Sequence, residues 1–290
     1  MPYNSRAMPV REGAIDSDGA ALHYMDWGGD GPPLVLIHAT GFLAALWCPI
    51  AERLATSFRV VAIDQRGHGD SDTPATGYSF ETFSDDLQRL IDGLQLERPI
   101  AAGHSSGGTT IVAHAARHPG VISRAILIEP ILPRPEWFAE APPGGRNAFS
   151  LAEGARKRRA VWPSRDELYE AYRTRDTFKT WREDVLRLYV DEGTFEREDG
   201  QIELKCPPEC EARVFEATAR VDTWALLPKM QCPTLLLWGA DSHLHARGLA
   251  GSAEEAIPNA HTVIVDGTSH FLPQERPDEV ARLMEGFLAD

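Results

Sequence analysis

The sequence predicts an α/β protein: a mostly parallel, doubly wound sheet with a helical cap inserted near its middle. Two observations carry that reading. Short apolar runs bounded by Gly, Pro and polar turns alternate with amphipathic stretches, the pattern of parallel strands covered by helices. The alternation lapses between Ile131 and about Met230 and then resumes. A chain of 290 residues suits one large domain, or a core carrying an insertion. At that length roughly three quarters of the unfolded surface is buried on folding, so a full core needs neither metals nor disulfides.

In chain order, PLVLIH (Pro33 to His38), FRVVAID (Phe58 to Asp64), IAAGHS (Ile100 to Ser105) and RAILIEP (Arg124 to Pro130) read as buried strands. After the lapse, PTLLLWG (Pro233 to Gly239) and HTVIVDG (His261 to Gly267) complete the series. SFETFSDDLQRLIDGLQL (Ser79 to Leu96) and GTTIVAHAARHPG (Gly108 to Gly120) place apolar residues at helical spacing. RPDEVARLMEGFLAD (Arg276 to Asp290) reads as a terminal helix with Pro277 and Asp278 in its first turn. Within the lapse, PSRDELYEAYRTR and WREDVLRLYVDEG are helical in pattern. The division expected is therefore a core of residues 1–130 and 231–290 and a helical cap of residues 131–230.

Composition narrows the function classes. There are 29 Lys+Arg against 43 Asp+Glu, a formal charge of −14, which argues against nucleic acid or an anionic membrane as partner. The one basic run, ARKRR (Ala155 to Arg159), is expected to be a solvated helix face. The four cysteines (Cys48, Cys206, Cys210, Cys232) form no framework, and CPPEC offers only two metal ligands without a second pair. Reduced thiols in a cytoplasmic protein, monomer or homodimer, are the expectation. No apolar run approaches the length of a membrane span.

The chemistry is concentrated in GHSSG (Gly103 to Gly107), which follows a predicted strand and opens a predicted helix. A nucleophile on so sharp a turn needs neighbours without side chains two positions away on either side. Ser105 is thus the candidate nucleophile, and the Ser106 N–H, at the helix N-terminus, a candidate oxyanion donor. His104, inside the motif, is expected to pack. HATGF (His38 to Phe42), after the first quoted strand, offers the Thr40 N–H as second donor, with His38 holding the loop. A serine hydroxyl needs a base. Of the ten histidines, His270 follows the last strand and precedes the last helix, where it can fall back over Ser105. His114, His118 and His261 are expected to be structural, while His243 and His245 are possible substrate contacts.

HATGF, DQRGHGDSD (Asp64 to Asp72), GHSSGG and GTSHFLPQERP, in that order, give the chain a resemblance to the α/β-hydrolase superfamily over nearly its whole length. The resemblance implies a Ser–acid–His triad in that chain order, a two-amide oxyanion hole, no cofactor and no metal. DQRGHGDSD looks like the family's structural turn. Relatives that attack halides or epoxides carry aspartate at the elbow, so Ser105 disfavours those activities.

In most relatives the acid lies three residues after the glycine that ends the strand equivalent to TLLLWG. Here that place is Ser242, and Asp241 arrives one residue early. The alternative is Glu129, at the end of ILIEP, where an unpaired buried carboxylate would be costly. Lactone hydrolases of the zearalenone-degrading type look similar in using a glutamate there. Glu129 is therefore the preferred acid and Asp241 the alternative.

The reaction implied is hydrolysis of a carboxylic ester or lactone. Cap aromatics (Trp137, Phe138, Trp162, Tyr169, Tyr172, Trp181) suggest an apolar pocket roof, and with Phe42 and Trp47 near the oxyanion loop they point to a medium-sized hydrophobic substrate. Phe42, Trp137, Trp162 and His243 are the candidate substrate contacts. Alternatives are a carbon–carbon hydrolase using the same triad and a slow-turnover receptor for a small molecule.

Overall fold

The computed structural model describes residues 10–134 and 148–289. Its first strands are β1 (Arg11–Ser17), β2 (Ala20–Gly28), β3 (Pro33–Ile37), β4 (Arg59–Ile63), β5 (Ile100–His104) and β6 (Arg124–Ile128). Strands β7 (Val161–Trp162), β8 (Thr194–Glu196) and β9 (Ile202–Leu204) lie in the inserted segment. Strands β10 (Thr234–Gly239) and β11 (Ala260–Val265) return to the main sheet. That sheet is eight-stranded, in the order β1-β2-β4-β3-β5-β6-β10-β11. From β4 onward neighbours pair in parallel, whereas β1–β2 and β2–β4 are antiparallel.

The helices are α1 (Cys48–Leu54), α2 (Phe80–Gly93), α3 (Ser106–Arg117), α4 (Ala148–Arg156), α5 (Arg165–Arg173), α6 (Glu183–Glu192), α7 (Pro208–Thr218), α8 (Leu249–Ala256) and α9 (Pro277–Ala289), with one-turn helices between some of them. Along β3 the side chains alternate between the sheet's two faces. Leu34 and Leu36 join Ile50, Val280 and Met284 on the face covered by α1 and α9. Val35 and Ile37 join Leu87, Ile111 and Leu249 on the opposite face, beneath α2, α3 and α8. The central strands are buried on both sides, which is why they read as continuous apolar runs. Ser79 caps α2 by accepting the Thr82 N–H at 3.2 Å.

The antiparallel pair β1–β2 does not stand out as an apolar run, because β1 is largely exposed. Its turn, Asp18–Gly19, has φ of 51° and 82°, the left-handed geometry of a two-residue hairpin. Between β6 and β10 the chain forms α4 to α7 and also the three-stranded antiparallel sheet β7-β9-β8, so the insertion is not purely helical. It is fastened over the C-terminal ends of the central strands. The Arg182 N–H donates to the Gln274 carbonyl and the Tyr189 hydroxyl to the Gly41 carbonyl.

The basic run departs from a solvated helix face. Helix α4 ends at Arg156, which pairs with Glu209 and Glu216. Arg158 turns inward to Glu211 at 3.0 Å and to the Cys206 carbonyl at 3.0 Å. The apolar interior of the insertion selects this pairing, since either charge alone would be costly there. All four cysteines are free thiols. Among the described residues, no helix is long and apolar enough to cross a membrane.

Candidate active site

Ser105 sits between β5 and α3 with φ 54° and ψ −118°, a conformation that L-residues rarely adopt. The turn is held by the Ser105 N–H donating to the Ile128 carbonyl at 2.9 Å. It also explains the flanking glycines. A Cβ on Gly103 would lie 2.4 Å from the Gly107 carbonyl carbon, and one on Gly107 would lie 2.3 Å from the Ile37 carbonyl oxygen. Neither backbone atom can yield. Ser106 opens α3, so its N–H has no carbonyl four residues back within the helix to bond.

His270, in the loop after β11, places Nε2 3.1 Å from Ser105 Oγ and Nδ1 3.1 Å from Glu129 Oε2. Because a carboxylate faces Nδ1, the ring proton lies there and Nε2 is left to accept from the serine hydroxyl. Glu129 also has left-handed φ, 48°, one residue past the end of β6. Its side chain is fully buried, and three donors satisfy it. Oε1 accepts the Gly239 N–H at 2.7 Å, and Oε2 accepts the Ser242 hydroxyl at 2.7 Å together with His270. Asp241 is exposed, and among the described residues no hydrogen bond or ion pair engages its carboxylate.

Ser242, the position one step beyond Asp241, thus donates to the Glu129 carboxylate. Removing that hydroxyl leaves Glu129 with its other two donors, so Ser242→Ala is expected to lower kcat no more than about tenfold, measured on an activated ester.

His104 lies behind this group with its ring centroid 5.2 Å from that of His270. Its Nε2–H donates to the His270 carbonyl at 2.8 Å, fixing the backbone of the base. Burial, reinforced by the neighbouring His270, keeps the His104 ring well below the usual histidine range, hence neutral. On the outer side, His243 is exposed with its ring 5.9 Å from His270.

The oxyanion loop is fixed from several directions. His38 accepts the Gln65 N–H on Nε2 at 2.9 Å, so its proton is on Nδ1, which donates to the Ala39 carbonyl at 2.8 Å. The Phe42 N–H donates to the same Ala39 oxygen at 3.1 Å. The Gly41 N–H donates to His68 Nε2 at 3.0 Å. Burial lowers the affinity of both rings for a second proton; His68, further disfavoured by nearby His38, is pushed down to about 3. With the Gly41 and Phe42 amides engaged, Thr40 and Ala39 carry the remaining loop N–H groups.

Asp64 in DQRGHGDSD is structural in its contacts. It accepts from the Ala44 N–H at 2.6 Å, the Asp70 N–H at 3.1 Å and the His23 ring at 2.8 Å. Burial opposes its charge, but these donors outweigh burial and hold the carboxyl below its ordinary range. His23, Asp64 and Asp70 bring ligand-type atoms within 4.8 Å, but Asp64 is already committed to these bonds.

Phe42 meets the inserted segment through Trp181 (5.1 Å between ring centroids) and Tyr189 (5.5 Å), and reaches Phe271, beside His270, at 6.2 Å. Trp162 is placed differently. Its indole N–H donates to the Arg159 carbonyl, and its ring packs on Tyr172 under the Arg159 guanidinium. These partners all belong to the inserted segment, so Trp162 packs within it. Trp137 and Phe138 lie outside the described residues.

A model of the alpha/beta hydrolase family matches residues 34–283. The 2-(acetamidomethylene)succinate hydrolase of Mesorhizobium japonicum is 26% identical over 269 residues, which are 90% of this chain and 89% of that protein. A non-heme chloroperoxidase of Streptomyces lividans is 38% identical over 120 residues, spanning 40% of this chain and only 44% of the relative. The solved structure of E-2-(acetamidomethylene)succinate hydrolase shares the fold, with a TM-score of 0.83 at 21% identity, covering 97% of this chain and 100% of that one. The enol-lactonase from Burkholderia xenovorans LB400 has a TM-score of 0.75 at 27% identity, covering 96% of this chain and 100% of that one. A serine elbow between strand and helix, on a sheet matched over most of its length, thus has a plain lineage: the chain belongs to the alpha/beta hydrolase family.

Proposed function

We propose that this protein is a serine hydrolase that cleaves a medium-sized hydrophobic carboxylic ester or lactone through an acyl-enzyme on Ser105. The observation that carries the reading is the unbroken line from Ser105 Oγ through both nitrogens of His270 to the buried Glu129 carboxylate. Ser105 Oγ attacks the carbonyl carbon as its proton passes to His270 Nε2, and Glu129 holds the resulting imidazolium. The Thr40 and Ser106 N–H groups receive the oxyanion. His270 then protonates the leaving alkoxide, and the ester bond breaks. In the second half His270 takes a proton from water, which attacks the acyl-enzyme, and returns that proton to Ser105 Oγ as the acid leaves. A lactone follows the same steps, its alcohol remaining tethered to the acyl group. The rings of Phe42, Trp181 and Phe271 support an apolar substrate. The enol-lactonase likeness agrees with acyl chemistry on a cyclic ester.

A fluorophosphonate should label Ser105 stoichiometrically, read by peptide mass spectrometry. p-Nitrophenyl butyrate and a panel of apolar lactones should turn over many times per active site. A single slow turnover would indicate a receptor. Activity confined to vinylogous diketones would move the reading to carbon–carbon hydrolysis.

A further inference from the structure

We propose that Tyr189, from cap helix α6, is a positioning residue that polarises the oxyanion donor through two peptide groups. The inference rests on the serine-hydrolase reading above, with Thr40 as donor. The Tyr189 hydroxyl donates to the Gly41 carbonyl at 2.9 Å. That carbonyl shares its peptide group with the Phe42 N–H, which donates to the Ala39 carbonyl at 3.1 Å. The Ala39 carbonyl in turn shares its peptide group with the Thr40 N–H. The line therefore runs from phenol to peptide 41–42, to peptide 39–40, and out through the Thr40 N–H to the place where the oxyanion forms. Every link points the same way. Aligned hydrogen bonds polarise one another, so each donor strengthens the next, and the effect is largest out of water.

The surroundings fit that role. Tyr189 is buried, and burial raises its phenol's pKa, so the hydroxyl keeps its proton and donates. His38 Nδ1–H adds a second donor to the Ala39 carbonyl. His68 holds the Gly41 N–H from the core side while Tyr189 holds the Gly41 carbonyl from the cap side. Gly41 itself sits at φ 80°, where a side chain would be strained, and a Cβ there would press on the Glu211 carboxylate at 2.8 Å. The loop is thus gripped between core and cap, and the oxyanion donor reaches full strength only when the cap is seated.

Tyr189→Phe keeps the ring and removes the first link. It is expected to lower kcat for an activated ester about 3- to 10-fold with KM nearly unchanged, a fraction of the value of a whole oxyanion donor. Affinity for a boronic acid, whose adduct on Ser105 places an oxygen in the oxyanion site, should weaken by the same factor. Tyr189→3-fluorotyrosine keeps the hydroxyl and makes it a stronger donor, so it should leave KM in place and raise kcat. This second variant carries the test should Tyr189→Phe fail to fold. Unchanged kcat in the folded variants, or a change in KM alone, overturns the relay. Failure of the underlying reading looks different: Ser105→Ala would then keep its activity whatever Tyr189 does.

Discussion

Glu129→Gln is expected to lower kcat by ~10³–10⁴ while leaving the protein folded, whereas Asp241→Asn should stay within about twofold. Glutamine can keep a carbonyl toward Gly239 N–H or Ser242, but it cannot offer two anionic oxygens to three donors. If its amide N–H₂ faces His270, the imidazole must present an unprotonated Nδ1, and Nε2 then carries the proton and cannot accept from Ser105. The serine loses its base. Even with the tautomer preserved, the imidazolium formed during attack would lack its buried counter-charge. Ser105→Ala and His270→Ala should reduce turnover at least as far. The check is kcat on a p-nitrophenyl ester for each variant, with circular dichroism to establish folding. Near-full activity in folded Glu129→Gln, or a comparable loss in Asp241→Asn, would place the acid elsewhere.

The second large effect is on stability. Thermal stability should fall steeply between pH 7.5 and pH 5, driven by His38, His68, His104 and His114. Burial lowers the proton affinity of each; His68 and His114 are pushed down to about 3. Unfolded, each titrates near its ordinary value of about 6.5. Below that value the unfolded chain binds protons that the folded chain refuses, so stability is lost as pH falls from about 6.5 toward the folded values. At pH 5 His68 and His114 cost about 2 kcal/mol each, a large part of an ordinary domain's stability, and His38 and His104 add to the loss in the same direction. His23 works the other way. Burial disfavours its charge, but Asp64 outweighs burial and raises its pKa, so below about 6.5 its proton stabilises the fold. One such ring offsets only part of the four. Melting curves at pH 7.5, 6 and 5 should show Tm dropping by roughly 8–15 °C. A Tm flat to within a few degrees would mean these rings are hydrated or protonated in the native state.

Legibility in the sequence followed burial. Strands β3 to β6 and β10 were readable because both their faces are covered, leaving runs of apolar residues. The β1–β2 hairpin leaves no apolar run in the sequence, since β1 faces solvent and its signal lies in the Asp18–Gly19 turn. The cap strands span two or three residues, too few to establish a period. At the site, Ser105, His270 and Glu129, put forward from motif, position and the cost of a buried carboxylate, meet in one line of hydrogen bonds. Ser242 entered only as an empty place for an acid, although its hydroxyl reaches Glu129. His104 was expected to pack, and its bond to the His270 carbonyl spans 166 positions that no local pattern connects. Tyr189 reads as one more apolar position on an amphipathic helix. Trp162 looked like a pocket wall for the same reason that many cap aromatics do, because periodicity does not tell the inside of a small layer from its underside.

Glu129 has one further consequence. It lies where the chain leaves the sheet for the insertion, and its carboxylate takes hydrogen bonds from Gly239 and Ser242, where the chain has returned. Because β6 and β10 are adjacent and parallel, the exit and the re-entry of that excursion are neighbours, and the acid clasps them together. The clasp separates the residues around Ser105 from everything the chain builds between the two roots. Replacing everything between the two roots would leave the hydrogen-bonded line from Ser105 through His270 to Glu129 intact beneath a new insertion. Such an exchange would still have to supply a hydroxyl at the right height to meet the Gly41 carbonyl, so the modularity has a toll at a single tyrosine.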